Sequence, residues 1–259
     1  MDPLKVKIAE ELKSFKGRIG LAIEIGNERI DHHSEEVFSS ASVIKIPILI
    51  ETLRQSDAGT LNLNNLVSIE NRTGGSGVLQ ILSSDARLSI LDLMALMITV
   101  SDNTATNMLI DRLGIVSINS TIKKLGLTKT ALQRKMMDFG AKELGIDNVT
   151  TAGDMIQCLK AINEKSMLSE KSRNLALNIM HAQQFQDKIP ALMDLDKIYV
   201  ANKTGGLPMV ENDCAILRYK NKKAYAAILT NELEDAFMAR QAISRIGKFV
   251  YDYLLASTN

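Results

Sequence analysis

Leu93, Leu96, Met97 and Val100 recur at i, i+3, i+4 and i+7, the spacing of one apolar helix face. Ser89 and Asp92 precede them as a capping-box-like start. The same period predicts an opening amphipathic helix over residues 4–15 and a closing helix from about Glu234 to Leu255. Ile243, Ile246, Val250, Tyr253 and Leu254 share the closing helix's apolar face. Near both ends the pattern shortens to strand-like runs. Ile19–Ile25 and Arg29–His33 flank Gly26-Asn27, a hairpin signal. Lys197–Lys203, Cys214–Tyr219 and Ala224–Thr230 follow later, with Asn221 in the last turn. From Ser42 to about Phe185 nearly everything reads as helix, broken at Gly114 and near Gly126.

Strands at both ends and helices between them predict an α/β (α+β) fold. An antiparallel sheet drawn from both chain ends is covered by the terminal helices. Residues 1–53 and 192–259 then make one discontinuous domain, and 54–191 an inserted all-helical one. A cleft between the two is the expected site.

The chain has 259 residues, 46% hydrophobic and 24% charged, enough for a sizeable core. A net charge of +1 offers no electrostatic case for nucleic acid or an anionic membrane surface. No apolar run is long enough to span a bilayer. The first residues lack an apolar signal region, so the expectation is cytoplasmic if this start is native, and periplasmic or extracellular if a signal was removed. Cys158 and Cys214 read as two buried thiols. With three histidines, His32, His33 and His181, and no HExxH, no metal is expected. No organic cofactor is implied either, and the expected state is a monomer acting on a small molecule.

Ser42-Val43-Ile44-Lys45 sits in an apolar setting of Val43, Ile44, Ile46, Ile48, Leu49, Ile50 and Leu53. A helix apolar all round is buried, and a lysine inside it is anomalous unless paired. Pro47 is tolerated only near a helix start, which places Ser42 at the N-terminus. There the free N–H groups favour developing negative charge. A desolvated Lys45 can take a proton from a serine. A capping serine with a lysine reaching out to water is an equally good reading of this segment alone. Ser120-Thr121-Ile122-Lys123 repeats the pattern, but on an amphipathic helix where it reads as surface. Ser101-Asp102-Asn103 opens a helix and reads first as a cap; functionally, Ser101 can shuttle a proton and Asn103 can donate to a substrate amide. Lys203-Thr204-Gly205-Gly206 reads as a strand ending in a glycine turn. Functionally, Lys203 and Thr204 can hold a carboxylate while the Gly206 N–H serves as an oxyanion donor.

Together these three signals form the set Ser-x-x-Lys, Ser-Asp-Asn, Lys-Thr-Gly. With RTGGSGVLQIL (Arg72–Leu82), LMALMITVSDNTATNMLIDRLG (Leu93–Gly114), TTAGDM (Thr150–Met155) and NKTGGLP (Asn202–Pro208), the chain resembles the class A β-lactamase family from about residue 18 onward. The resemblance implies Ser42 as nucleophile, Lys45 as its base and Ser101 as a proton relay to the leaving nitrogen. It implies Asn103 on the substrate amide and on Lys45, and Lys203 and Thr204 on the substrate carboxylate. The N–H groups of Ser42 and Gly206 would form the oxyanion hole. The implied substrate is a β-lactam or a peptide with a C-terminal carboxylate.

Two departures stand out. In RKMMDFGAKELGIDNVTT (Arg134–Thr151) Met136 falls where the family carries its deacylating glutamate, and Gly140 replaces an asparagine. A thioether cannot take a proton from water, so acylation is expected to survive and deacylation to be slow. Asp138, Glu143 and Asp147 read as solvated loop carboxylates. Glu211 stands where many relatives carry an arginine, and is expected to disfavour an anionic substrate. These departures resemble class A-like penicillin-binding proteins or D,D-peptidases; an efficient β-lactamase with a relocated base, and a binding or sensor protein without catalysis, are the alternatives.

Overall fold

The computed structural model describes residues 1–164 and 167–256. The elements run α1 (Asp2–Lys13), β1 (Arg18–Ile25), β2 (Glu28–His32), β3 (Phe38–Ser39), α2 (Lys45–Asp57), β4 (Leu66–Ser68), β5 (Arg87–Ser89), α3 (Ile90–Thr99), α4 (Asn103–Leu113), α5 (Ile115–Lys124), α6 (Phe139–Glu143), β6 (Val149–Thr150), α7 (Ala152–Asn163), α8 (Glu170–His181), β7 (Tyr199–Leu207), β8 (Val210–Tyr219), β9 (Lys222–Asn231) and α9 (Ala236–Ala256). The main sheet is antiparallel, in the order β2-β1-β9-β8-β7. Strands from both chain ends therefore meet in one sheet, as expected.

Successive strand side chains point to opposite faces. Leu21, Ile23, Ala215, Leu217, Ala226 and Ile228 form one core with α1 and α9, through Leu4, Ile8, Ile243, Ile246 and Val250. Their neighbours Ala22, Cys214, Ile216, Ala227 and Leu229 face the other way, into a core shared with α2, α3, α4 and α7. Every residue of α2 from Lys45 to Leu53 is buried. The capping box at Ser89 and Asp92 is formed, with each side chain bonding the other residue's backbone N–H.

Three expectations are corrected. The stretch from Ser42 to Phe185 is not nearly all helix, because residues 58–89 and 125–151 are mostly turns, short strands and loop. β7 does not stop in a glycine turn at Lys203; it runs through Gly205-Gly206 to Leu207, since β8 begins at Val210 and pairs with its whole length. The apolar setting of Ser42 also conceals a buried carboxylate. Glu51 accepts from Arg54, Gln55 and Thr121 Oγ1, which keeps its charge satisfied.

Candidate active site

Ser42 lies in a 3₁₀ turn, Ala41–Ile44, that leads directly into α2. Ala41 has φ +44°, a left-handed conformation costly to a residue with a Cβ. The turn packs against β7 so closely that a Cβ on Gly205 would stand 2.8 Å from the Ser42 backbone nitrogen. That contact explains the glycine. Ser42 and Gly206 line one cavity of about 270 Å³, with Ser76, Asn103, Met136, Met137, Phe139, Leu207 and Pro208 among its other walls. A larger cleft of about 370 Å³ opens elsewhere, between Val67–Thr73 and Asn107–Arg112, and none of the candidate catalytic or substrate-binding residues lines it.

Lys45 is wholly buried. Its amine donates to Ser101 O (2.8 Å), Ser101 Oγ (3.1 Å) and Asn103 Oδ1 (3.0 Å). Lys203, also wholly buried, donates to the same Ser101 Oγ (3.0 Å) and to Thr204 O (2.7 Å). Ser101 Oγ therefore sits between two amines. Among the described residues no hydrogen bond joins Ser42 Oγ to Lys45 Nζ. Three acceptors around one amine suit the ammonium, while burial, and then repulsion from Lys203, holds the Lys45 pKa well below the ordinary lysine value. Burial first, and Lys188 second, bring Lys203 down to about 7. Two buried amines are thus linked through one hydroxyl, and Lys45 also reaches the cavity-lining Asn103.

Two residues at the start of α4 do double duty. Asp102 caps α4 through Ala105 N and also accepts from Val78 N and Leu79 N, fastening the 72–83 loop over the cleft. Asn103 gives Oδ1 to Lys45 and donates Nδ2 to Gly74 O of that loop (3.0 Å). Ser101 itself has φ +53°. Ser120 is exposed on α5, as its surface reading required.

The 134–147 loop forms the opposite wall. Arg134 closes it on Asp147 (Nη2–Oδ1 2.6 Å), and Ser39 Oγ donates to the other oxygen. Asp147 is therefore ion-paired and not a solvated loop residue, which removes it as a base. Asp138 caps α6, and Glu143 is exposed. Met136 is only 8% exposed. Asn107 holds its N–H and its carbonyl with one amide (2.8 and 3.1 Å), so the backbone of this cavity-lining residue is fixed. Glu211 is likewise not a bare negative charge. Lys188 Nζ lies 2.7 Å from one of its oxygens and Arg240 Nη1 2.6 Å from the other, so the expected penalty for an anion does not follow. Sequence reading missed Asp102's grip on the loop, Asn107 and Lys188; only Lys188, a charge next to Ile189-Pro190-Ala191-Leu192, gave a signal. Cys158 and Cys214 are buried free thiols, as expected.

The sequence profile of the Beta-lactamase enzyme family matches residues 3–254. A beta-lactamase of Bacteroides uniformis is 24% identical over 271 residues, covering 97% of this chain and 91% of its own. The crystal structure of a beta-lactamase from Sphaerobacter thermophilus superposes with a TM-score of 0.90 at 29% identity, over 99% of this chain and 98% of that one. A PBP-A variant, solved as an acyl-enzyme complex with penicillin G, gives 0.88 at 26% identity, over 99% and 97%.

Proposed function

The chain belongs to the Beta-lactamase enzyme family, and from that premise we propose that it is an acyl-serine enzyme acylated by β-lactams through Ser42. The observation that carries this reading is Ser101 Oγ held between the buried amines of Lys45 and Lys203, beside the cavity that Ser42 lines. A binding protein has no use for so costly a pair of desolvated amines. Lys45, once neutral, takes the Ser42 proton. The Ser42 oxygen attacks the β-lactam carbonyl, and the N–H groups of Ser42 and Gly206 stabilise the oxyanion. Ser101 passes a proton to the leaving nitrogen as the ring C–N bond breaks. Lys203 and Thr204 hold the substrate carboxylate.

Hydrolysis of the acyl-enzyme is slow in this reading. Met136 offers no proton acceptor, Asp147 is committed to Arg134, and Asp138 to its helix cap. This favours penicillin-binding behaviour, with D-Ala-D-Ala-type peptides as natural substrates, over rapid antibiotic destruction. The likeness to a PBP-A variant solved as a penicillin G acyl-enzyme supports the acylation step. The test is labelling by a fluorescent penicillin. Wild type and Ser120→Ala take the label and Ser42→Ala does not; a labelled Ser42→Ala overturns the assignment.

A further inference from the structure

We propose that Lys188 is a positioning residue for acyl transfer: its ammonium orients and polarises the Gly205–Gly206 peptide, so that the Gly206 N–H is a stronger oxyanion donor. The inference rests on the reading of Ser42 and Gly206 given above.

Lys188 is 4% exposed. Its amine donates to Gly205 O (2.7 Å) and Asn212 O (3.0 Å) and pairs with Glu211. Its amine is fully engaged by these two carbonyls and one carboxylate, which makes it a positioning group and not a substrate contact. Gly205 O belongs to the same peptide unit as the Gly206 N–H. That peptide is trans, since the described chain has no cis bonds, and in a trans peptide the C=O and N–H point in opposite directions. Lys188 holds the carbonyl toward β8, where it also grips Asn212, the register partner of Gly205. The Gly206 N–H is therefore aimed at the other side of β7. β7 is the outermost strand of the sheet, so that side is its unpaired edge, and Gly206 there lines the same cavity as Ser42.

A cation on a carbonyl oxygen draws electron density from the amide nitrogen and leaves the N–H more positive, the cooperative effect of linked hydrogen bonds. A charged donor makes that bond about twice as strong as a neutral one. Glu211 pairs with the buried ammonium through one oxygen and with Arg240 through the other, without occupying Gly205 O. Lys188 also fixes the plane of the peptide, so the donor needs no reorganisation as the oxyanion forms.

The experiment compares Lys188→Met, Lys188→Arg and the double variant Lys188→Met/Glu211→Gln, which leaves no buried carboxylate short of a partner. Acylation by a fluorescent penicillin is followed at saturation, and the Gly206 amide proton is observed in isotopically labelled free protein. Loss of a whole oxyanion donor costs about 10²–10³-fold, so weakening one is expected to slow acylation about tenfold. The penicillin concentration for half-maximal rate stays near the wild-type value. The Gly206 proton moves upfield in Lys188→Met and in the double variant, and Lys188→Arg restores both readouts. A purely structural role would lower stability without moving Gly206 selectively or being rescued by arginine. An unmoved Gly206 proton, or wild-type acylation in a folded Lys188→Met, overturns the proposal. Labelling of Ser42→Ala would instead sink the serine reading, and the Gly206 shift would still decide the polarisation.

Discussion

Lys45 and Lys203 place two amines on one serine hydroxyl, and their protonation sets the pH behaviour of the site. Burial holds Lys203 near 7, so it loses its charge as pH rises through about 7. Second-order acylation by an anionic β-lactam is therefore expected to fall through that range, where the free enzyme loses its carboxylate-binding cation. Lys203→Arg removes this limb, because guanidinium stays charged. A wild-type profile with no such limb contradicts the carboxylate role. Met136 carries a second prediction. Met136→Glu combined with Gly140→Asn is expected to speed deacylation by about 10²–10⁴-fold, the usual worth of a general base. Pre-steady-state mass spectrometry measures it, and an unchanged adduct lifetime contradicts Met136 as the cause. The segment of Ser42 and Lys45 alone fitted a lysine reaching to water as well as a buried one, and the structure decides for burial; the apolar residues around it carried that signal. Asn107 and the partners of Glu211 were not legible in the sequence, since their roles depend on pairings between residues distant in the chain, Asn107 with Met136 and Glu211 with Lys188 and Arg240. Asp147 was misread for a similar reason: its partner Arg134 lies across the loop.

The strand β7 and the Ser42 turn are the elements that must stay in contact. Gly205→Ala would drive a Cβ to 2.8 Å from Ser42 N, closer than real Cβ contacts permit, so one backbone must retreat. A displacement of about 1 Å at a reacting centre can cost about 10²-fold, and acylation is expected to fall by that order while the fold persists. Stopped-flow acylation with a thermal unfolding control measures this; wild-type acylation in the folded variant would contradict the close approach. The helix periodicity was legible because it is local: Leu93 to Val100 already fixes α3. The glycine pair in β7 suggested a turn, and only its pairing with β8 extends the strand. Residues 58–89 were taken as helix although Leu61, Leu63, Val67 and Ile69 are spaced by two or four. Leu66–Ser68 and Arg87–Ser89 pair with each other there instead.

At the scale of the whole molecule, one sheet face rests on the terminal helices and the other on the helical half. Ser42, Asn103, Gly206 and the 134–147 loop reach one cavity from separate parts of the chain. That convergence could be anticipated only because three short motifs occurred in a familiar order; no local pattern places the loop's Met136 opposite Ser42. The central claim is that this cavity acylates readily and releases slowly. The most direct measurement is intact mass followed in time after mixing with benzylpenicillin, with the modified peptide mapped. The account predicts an adduct of one penicillin on Ser42 that accumulates in a burst and persists while turnover continues slowly. Rapid multiple-turnover hydrolysis with no adduct, or an adduct on any other residue, would contradict it.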